Sequence, residues 1–192
     1  MPKIFPQYKE EAKKKIVQAA MAVAIRNGYQ TMTMEDVANE VGVTKGALYV
    51  YFQNKEELFG EVLVGISAMI RDTMDFSHTD GDLDAVLRCL ADRLFGVIYP
   101  NIPVFAELVS ISSRDPAVRK MIEEMLGRNT AIIENEIRIL KEQKMLPEDL
   151  AVHTATLQMV SLSIGMGARM YLGADREATK KLWIASVKKI IG

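Results

Sequence analysis

The most informative side chains in this chain, by type and spacing, lie in residues 33–52. Thr33 and Asp36 have the three-residue spacing of a capping box, which predicts the start of a short helix. Gly42 predicts the end of that helix, because glycine readily adopts the left-handed backbone conformation of a sharp turn. Thr44 predicts the cap of a second helix directly after the turn. Two short helices joined by so tight a turn form a helix-turn-helix.

The second helix, predicted over residues 45–52, offers hydrogen-bonding chemistry to a partner. Leu48 and Phe52 are four residues apart and share an inward face, while Val43 is expected to fill the angle between the two helices. The residues of this helix left for a partner surface are Lys45, Gly46, Ala47, Tyr49, Val50 and Tyr51. The hydroxyl groups of the capping residues Thr33 and Thr44 are available beside them. The B-DNA major groove accepts an α-helix and presents base edges and phosphates to such side chains. The pattern therefore predicts DNA recognition.

Taken singly, these residues would suit an ordinary three-helix core, but together they resemble the N-terminal domain of the TetR family of transcriptional repressors. The resemblance covers about residues 13–62, and its most specific part is the run GVTKGALYVYFQNKEELF at residues 42–59. It implies base or phosphate contacts from Lys45, Gly46, Ala47, Tyr49 and Val50, and phosphate contacts from Thr33, Thr44, Tyr51 and Lys55. Val50 stands where many relatives carry a polar or aromatic side chain, so contact with a thymine methyl group replaces a hydrogen bond there.

Length and apolar periodicity predict an all-α protein with two domains. The 192 residues suit a DNA-binding head of three helices over residues 1–54 and a larger helical body over residues 55–192. By resemblance, the body binds a small-molecule effector and forms a dimer.

The breaks between helices follow from proline, glycine and polar residues. A helix joining head to body is expected over residues 55–75, followed by a linker over residues 76–81. Pro100 and Pro103 are expected to end the next helix, because proline has no backbone N–H to donate. A separate short helix is then expected over residues 104–112. The apolar face of the joining helix is expected to consist of Leu58, Val62, Ile66 and Met69.

Charge and cysteine content favour a cytoplasmic protein with a slightly basic head. The net charge is -1, yet residues 1–55 carry eight lysines and arginines against five acidic residues. The lysines at positions 13–15 fit either phosphate contacts or a solvated face. The single cysteine, Cys89, cannot form an internal disulfide, and the N-terminus has no apolar signal-peptide core. Residues 150–168 hold no charged side chain, but their polar residues favour a buried interface helix over a membrane span.

In the family that this chain resembles, the last two long helices pair with those of a second subunit. The two glycines of this region would permit close approach, although pocket access or a local kink explains them equally well. A homodimer with two recognition helices implies a palindromic operator in double-stranded DNA. The expected interface residues are Leu162, Gly165, Gly167, Leu182 and Ile190.

The same resemblance implies an effector pocket in the body. Methionine and aromatic side chains suit an adaptable site for a largely apolar effector, although each also fits ordinary core packing. Glu107 would counter a cationic effector, against the more common role of a surface carboxylate. The other candidates are Phe95, Tyr99, Phe105, Met125, Met159 and Met166.

Two other classes of protein compete with a DNA-binding regulator. Catalysis is disfavoured, because His78 and His153 are remote from Cys89 in sequence and no phosphate loop or metal-ligand cluster is evident. No cofactor or metal is expected, and His153 is better explained as an interface residue than as a base. The alternative that stays open is a small-molecule carrier or protein-interaction module on the same fold without operator recognition, for which Val50 leaves room.

Overall fold

The computed structural model describes residues 6–74 and 82–192 as α-helices joined by turns. The helices are α1 (Pro6–Asn27), α2 (Met34–Val41), α3 (Lys45–Tyr49), α4 (Lys55–Thr73), α5 (Leu83–Ser112), α6 (Pro116–Glu142), α7 (Val152–Tyr171) and α8 (Arg176–Ile191). These two ranges contain no β-strand, and the prediction of an all-α protein with an N-terminal helix-turn-helix is confirmed. The predicted linker over residues 76–81 lies outside the described residues.

The helices group into two compact units. The first, called the head unit, consists of Met1–Ile66 and Pro103–Glu123, and the second, called the body unit, consists of Ser67–Ile102 and Glu124–Gly192. The predicted functional boundary after residue 54 remains a prediction. The head unit contains more than that prediction assigned to the DNA-binding domain, because the last part of α5 and the first part of α6 belong to it.

Local sequence accounts for the helix-turn-helix. The Asp36 amide donates to Thr33 Oγ1 at 3.1 Å and the Thr33 amide donates to Asp36 Oδ2 at 2.9 Å, so the predicted capping box is formed. Gly42 ends α2 in the left-handed region with φ of 80°. The Thr44 hydroxyl accepts the Ala47 amide at 3.2 Å at the start of α3. These bonds join residues at most four positions apart, which is why the sequence predicts them.

Buried apolar side chains on the inward faces hold the head unit together. Leu48 and Phe52 are both buried as predicted, although α3 itself ends at Tyr49. Val43, expected to fill the angle between α2 and α3, instead has 40% of its surface exposed. The turn is fastened through the backbone, since the Val43 amide donates to the Ala38 carbonyl at 2.9 Å. This bond leaves the Val43 side chain on the surface.

The two prolines do not divide the chain as predicted. Helix α5 runs without a break from Leu83 to Ser112, so the separate short helix over residues 104–112 is wrong. A proline inside a helix loses one backbone hydrogen bond, but packing on either side can outweigh that loss. Buried apolar residues continue past both prolines, and Asn101 Nδ2 donates to the Val97 carbonyl at 2.7 Å within the interrupted turn.

The apolar face of α4 also differs in part from the prediction. Leu58 and Val62 are buried, whereas Met69 has 43% of its surface exposed. The inward face instead continues through Leu63 and Ile70. The helical period carries the buried stripe one residue beyond Met69, because 3.6 residues make a turn.

The body unit is organised around Trp183, which is fully buried. Its indole Nε1 donates to Ser163 Oγ at 2.9 Å, and the Phe95 ring meets the indole edge-on at a centroid distance of 6.0 Å. Residues from α5, α7 and α8 are therefore joined by one polar and one aromatic contact. Among the described helices, α5 alone has the length and apolar composition of a membrane span, and its buried Val86 and Leu90 place its first part in the core of this unit.

Candidate nucleic-acid interface

The outward surface of α3 is free of intramolecular packing over most of its residues. Leu48 is the buried residue of this helix, and Lys45, Gly46, Ala47 and Tyr49 are exposed. Val50, directly after the helix, has 72% of its surface exposed. A Cβ atom added at Gly46 would meet no atom within 4 Å. The predicted base-contacting residues thus share one accessible surface.

Thr33 and Thr44 differ in what their hydroxyl groups can still do. The Thr33 hydroxyl donates to Asp36 Oδ2 at 2.7 Å while it accepts the Asp36 amide, so its proton is already used. The Thr44 hydroxyl accepts the Ala47 amide, and the described residues give no acceptor for its proton. Thr44 can therefore donate to a phosphate without breaking a bond, whereas Thr33 must first release Asp36.

Ionic contacts fix α2 against α1 in the head unit. Arg26 on α1 pairs with Glu40 on α2 at 2.8 Å. The hydrogen bond that Arg26 donates to Glu40 raises the pKa of Arg26, and the Thr33 hydroxyl holds the pKa of the Asp36 carboxyl below its ordinary value. Asp36 consequently stays ionised as the acceptor of the capping box. The Arg26–Glu40 pair is not evident from the sequence, because its members are 14 positions apart.

The lysines of the head unit have different degrees of freedom. Lys45 Nζ lies 3.9 Å from Glu35 Oε2, and both side chains are exposed, so Lys45 can exchange this partner for a phosphate or a guanine edge. Lys13 is half-buried, with its Nζ 5.5 Å from the centre of the Phe52 ring. Lys14 and Lys15 are exposed.

Lys55 is half-buried and bound to the turn between α1 and α2. Its Nζ donates to the Tyr29 carbonyl at 3.2 Å and to the Gln30 carbonyl at 3.1 Å. It also lies 4.6 Å from the centre of the Tyr29 ring, which packs at 4.6 Å against the ring of Phe59. Burial, with smaller effects from nearby carboxylates, raises the pKa of Tyr29 to about 12. Lys55 thus has a structural role alongside the predicted phosphate contact.

The hydrogen-bond partners of Glu107 are not evident from the sequence. It belongs to the head unit, where its two carboxylate oxygens accept the backbone amides of Tyr29 and Gln30 at 2.7 and 2.8 Å. Its carboxylate is therefore committed to the turn before α2, not free to counter a cationic effector. Phe105, another pocket candidate, is half-buried in the same unit.

The remaining pocket candidates lie in the body unit. Phe95, Met125 and Met166 are buried, and Tyr99 is half-buried with the Arg176 guanidinium 3.8 Å from its ring centre. A cavity of about 30 Å³ in this unit is lined by Met159 among the candidates, together with apolar residues such as Leu87, Ile133 and Val187. This cavity is much smaller than the volume of about 300–1,000 Å³ that sites for small molecules usually have.

Two buried polar atoms of α6, Arg128 Nε and Asn129 Oδ1, have no hydrogen-bond partner among the described residues, and neither residue is among the predicted site residues. Asn129 on α6 has 7% of its surface exposed, and its Oδ1 is buried with no hydrogen-bond partner among the described residues. Buried polar atoms are nearly always paired, so this oxygen is a candidate for a ligand contact. The signal available in the sequence was an asparagine on a predicted apolar face between Met125 and Ile133.

The predicted interface residues divide into two groups. Gly165 is exposed and a Cβ atom there would meet nothing within 4 Å, whereas a Cβ atom on Gly167 would lie 2.5 Å from Ile98 Cγ2. Gly167 is therefore required for packing within the chain, and its assignment to the subunit interface is corrected. Leu182 has 51% of its surface exposed, and Leu162 and Ile190 are half-buried.

The residues considered for catalysis are dispersed in the structure. His153 Nδ1 lies 2.5 Å from Glu134 Oε1 on the surface of the body unit, and Cys89 is half-buried on α5. His78 lies outside the described residues. Over residues 6–74 and 82–192, no three histidine, cysteine, aspartate or glutamate side chains are grouped to hold a metal ion.

A helix-turn-helix head followed by a helical body is the architecture of a DNA-binding regulator. Residues 16–62 match the model for bacterial regulatory proteins of the TetR family. The chain is 26% identical over 145 residues to the uncharacterized HTH-type transcriptional regulator YfiR of Bacillus subtilis, covering 73% of this chain and 69% of YfiR.

Two further comparisons agree with this match. The chain is 25% identical over 126 residues to the negative transcriptional regulator IcaR of the biofilm operon icaADBC in Staphylococcus epidermidis, covering 65% of this chain and 66% of IcaR. It shares the fold of a TetR transcription regulator from Haloarcula marismortui with a TM-score of 0.72 and 17% identity, over 95% of this chain and 97% of that one. Residues 16–62 therefore form a domain of the TetR family of bacterial regulatory proteins, and the chain as a whole shares the fold of a TetR transcription regulator.

Proposed function

We propose that this protein is a repressor that binds a palindromic operator as a homodimer and responds to a small-molecule effector. The observation that carries the proposal is the surface of α3, where Leu48 is buried as an anchor while Tyr49 and Val50 are exposed. Side chains presented from a fixed short helix suit the reading of base edges in a major groove. The negative regulator IcaR among the relatives supports repression over activation.

The DNA contacts are proposed residue by residue. Lys45, Gly46, Ala47, Tyr49 and Val50 face bases or adjacent phosphates, and Thr33, Thr44, Tyr51 and Lys55 contact phosphates. Between the two threonines, Thr44 is the better phosphate donor, because the described residues leave its hydroxyl proton without an acceptor while the Thr33 proton is bound to Asp36. Val50 contributes an apolar contact, and a thymine methyl group is its natural partner.

The homodimer is proposed from apolar surface on α7 and α8 of the body unit. Leu157, Leu172 and Leu182 have 45%, 83% and 51% of their surfaces exposed. Gly165 on α7 leaves open space next to the backbone, which would allow a partner helix to approach closely. Exposed leucines on two helices that pack together, as α7 and α8 do, suit a surface that a second subunit covers.

The effector is proposed to be a largely apolar molecule with one hydrogen-bond donor. The lining of the body-unit cavity is mostly aliphatic, and the unpaired Oδ1 of Asn129 supplies a buried acceptor in the same unit. Asn129→Leu would remove this acceptor while keeping the side-chain volume similar, so it should raise the melting temperature of the free protein. Compounds that raise the melting temperature of the wild type but not of Asn129→Leu would support the assignment, and equal shifts in both proteins would refute it.

The operator is tested by selection from a random-sequence duplex library at near-physiological salt. Wild-type protein should enrich a palindrome whose half-sites lie about one helical turn apart, or a multiple of it. Lys45→Ala should abolish the enrichment, whereas Lys144→Ala, which alters an exposed lysine outside the helices, should preserve it. Binding that is sensitive to salt but indifferent to sequence would favour a carrier or interaction module on the same fold.

The dimer is tested separately by sedimentation at micromolar concentration. Wild-type protein should sediment as a dimer, and Leu182→Glu should sediment as a monomer with the same helix content. Wild-type monomer under these conditions would refute the dimer. The proposal assigns the protein no catalytic activity and no cofactor, and it places the protein in the cytoplasm, where a bacterial operator is accessible.

A further inference from the structure

We propose that Glu107 is a positioning residue for DNA binding, which holds the turn before α2 in the conformation that the helix-turn-helix requires. This inference rests on the DNA-binding function proposed above. Glu107 lies on α5, 78 residues after Tyr29, and its Oε2 accepts the Tyr29 amide at 2.7 Å. Its Oε1 accepts the Gln30 amide at 2.8 Å. Both distances are in the short range that is typical of charge-assisted hydrogen bonds.

The Tyr29–Gln30 segment is held on both of its polar edges. Glu107 takes its two amide protons, and Lys55 Nζ donates to its two carbonyl oxygens at 3.2 and 3.1 Å. All four polar backbone groups of two successive residues are thus paired with two side chains of opposite charge. The segment has no helix or sheet of its own, so these bonds replace the regular backbone pairing that it lacks.

Gly28 makes this arrangement sterically accessible. Its φ of +87° is in the left-handed region, which turns the next two amides toward the carboxylate. A Cβ atom at this position would lie 3.0 Å from Glu107 Oε2. The backbone conformation and the empty space beside it therefore both suit the carboxylate.

The position of the Tyr29–Gln30 segment explains why its bonds to Glu107 matter for DNA binding. Thr33, which caps α2, is three residues after Gln30, and Lys55 is itself one of the proposed phosphate contacts. Loss of the Glu107 bonds would loosen the backbone that leads into α2 and that carries the two carbonyl partners of Lys55. Glu107 is not itself one of the proposed DNA contacts. We therefore expect it to affect DNA binding through the Tyr29–Gln30 backbone that it binds.

The test compares Glu107→Gln with Glu123→Gln, an exposed glutamate of the same head unit. Glutamine keeps the shape but places an amide donor against a backbone amide and removes the charge. We expect hydrogen exchange at the Tyr29 and Gln30 amides, followed by NMR, to accelerate at least tenfold in Glu107→Gln and to stay unchanged in Glu123→Gln. We also expect operator affinity to fall about tenfold, given the usual strength of hydrogen bonds to charged groups.

The salt dependence separates positioning from direct contact. Because no phosphate contact is removed, the slope of log affinity against log salt should be the same for Glu107→Gln and wild type. Faster exchange with unchanged operator affinity would overturn the positioning role, and so would unchanged exchange. If Glu107→Gln does not fold, Glu107→Asp keeps the charge with a shorter reach and is judged by the same two readouts. If the wild type selects no operator, the proposed function is refuted. Amide exchange would still test whether Glu107 holds the Tyr29–Gln30 turn.

Discussion

Lys55 Nζ lies 4.6 Å from the centre of the Tyr29 ring and donates to the carbonyl of the same residue at 3.2 Å. A lysine whose ammonium group makes a cation–π contact and two backbone hydrogen bonds is ordered before DNA arrives. A third N–H of the same group remains for a phosphate. Lys55 therefore links the stability of the head unit to the proposed DNA contact.

Lys55 and Lys45 should respond differently to removal of their charge. Lys55→Met should lower both operator affinity and the free energy of unfolding in urea, because the Tyr29 and Gln30 carbonyls lose their donor. Lys45→Met should lower operator affinity and reduce the salt slope by about one, with little change in stability. Equal loss of stability in both variants would contradict the structural role assigned to Lys55.

The two threonine caps give a matched pair. Thr33→Val and Thr44→Val should each lower the free energy of unfolding by about 1 kcal/mol, the usual contribution of a helix cap. Thr44→Val should weaken operator binding further than Thr33→Val, because the described residues leave the Thr44 proton available while the Thr33 proton is bound to Asp36. Operator affinity is measured for both valine variants. The control at each position is the Thr→Ser variant, which keeps the hydroxyl group. Greater loss in Thr33→Val would reverse the assignment of the phosphate donor.

Tyr29 should make the stability of the protein sensitive to alkaline pH. Its pKa is raised from 10.0 to about 12, so the folded state favours the protonated phenol. The resulting stabilisation is complete below pH 10 and is lost as the pH rises from 10 to 12. The expected loss is at most about 1.4 kcal/mol for each pH unit in that window. Chemical denaturation of wild type and Tyr29→Phe between these pH values measures it, and an equal slope in both proteins would contradict the burial of this phenol.

The two glycines of α7 provide a test of packing. Gly167→Ala should lower the free energy of unfolding by about 1–3 kcal/mol, because its Cβ would overlap the Ile98 side chain. A Cβ atom at Gly165 would meet no atom of the chain within 4 Å. Gly165→Ala should therefore raise the stability of the isolated subunit by about 0.5–1 kcal/mol. Any loss of stability in Gly165→Ala that depends on protein concentration would report the proposed dimer. If both variants change the free energy of unfolding of the monomer equally, the packing of Gly167 against Ile98 is contradicted.

The local features of the head unit could be predicted from sequence, whereas its long-range contacts could not. The Thr33–Asp36 box, the Gly42 turn and the Thr44 cap depend on residues within a single turn, so spacing alone identifies them. Glu107 acts on residues 77 and 78 positions away, and neither periodicity nor composition indicates such a partner. The same limit explains the error at Gly167, whose neighbour Ile98 lies on another helix.

The continuous α5 shows how tertiary packing overrides a local signal. Pro100 and Pro103 carry the usual cost of a missing backbone donor, which is why they predict a helix end. The buried apolar row on both sides of them, with Leu94 before and Leu108 after, outweighs that cost. A short-range rule has no access to this balance, because the stabilising partners of the row are contributed by other helices.

The central claim is that the surface of α3 reads a DNA sequence. The most direct measurement is the ratio of wild-type affinities for the selected duplex and for a scrambled duplex of equal composition, at one near-physiological salt concentration, repeated with Tyr49→Ala. Specific regulators prefer their sites by about a thousandfold or more, and we expect a ratio of this order that falls steeply in the variant. A ratio near one for the wild type, or one that Tyr49→Ala leaves unchanged, would contradict the claim.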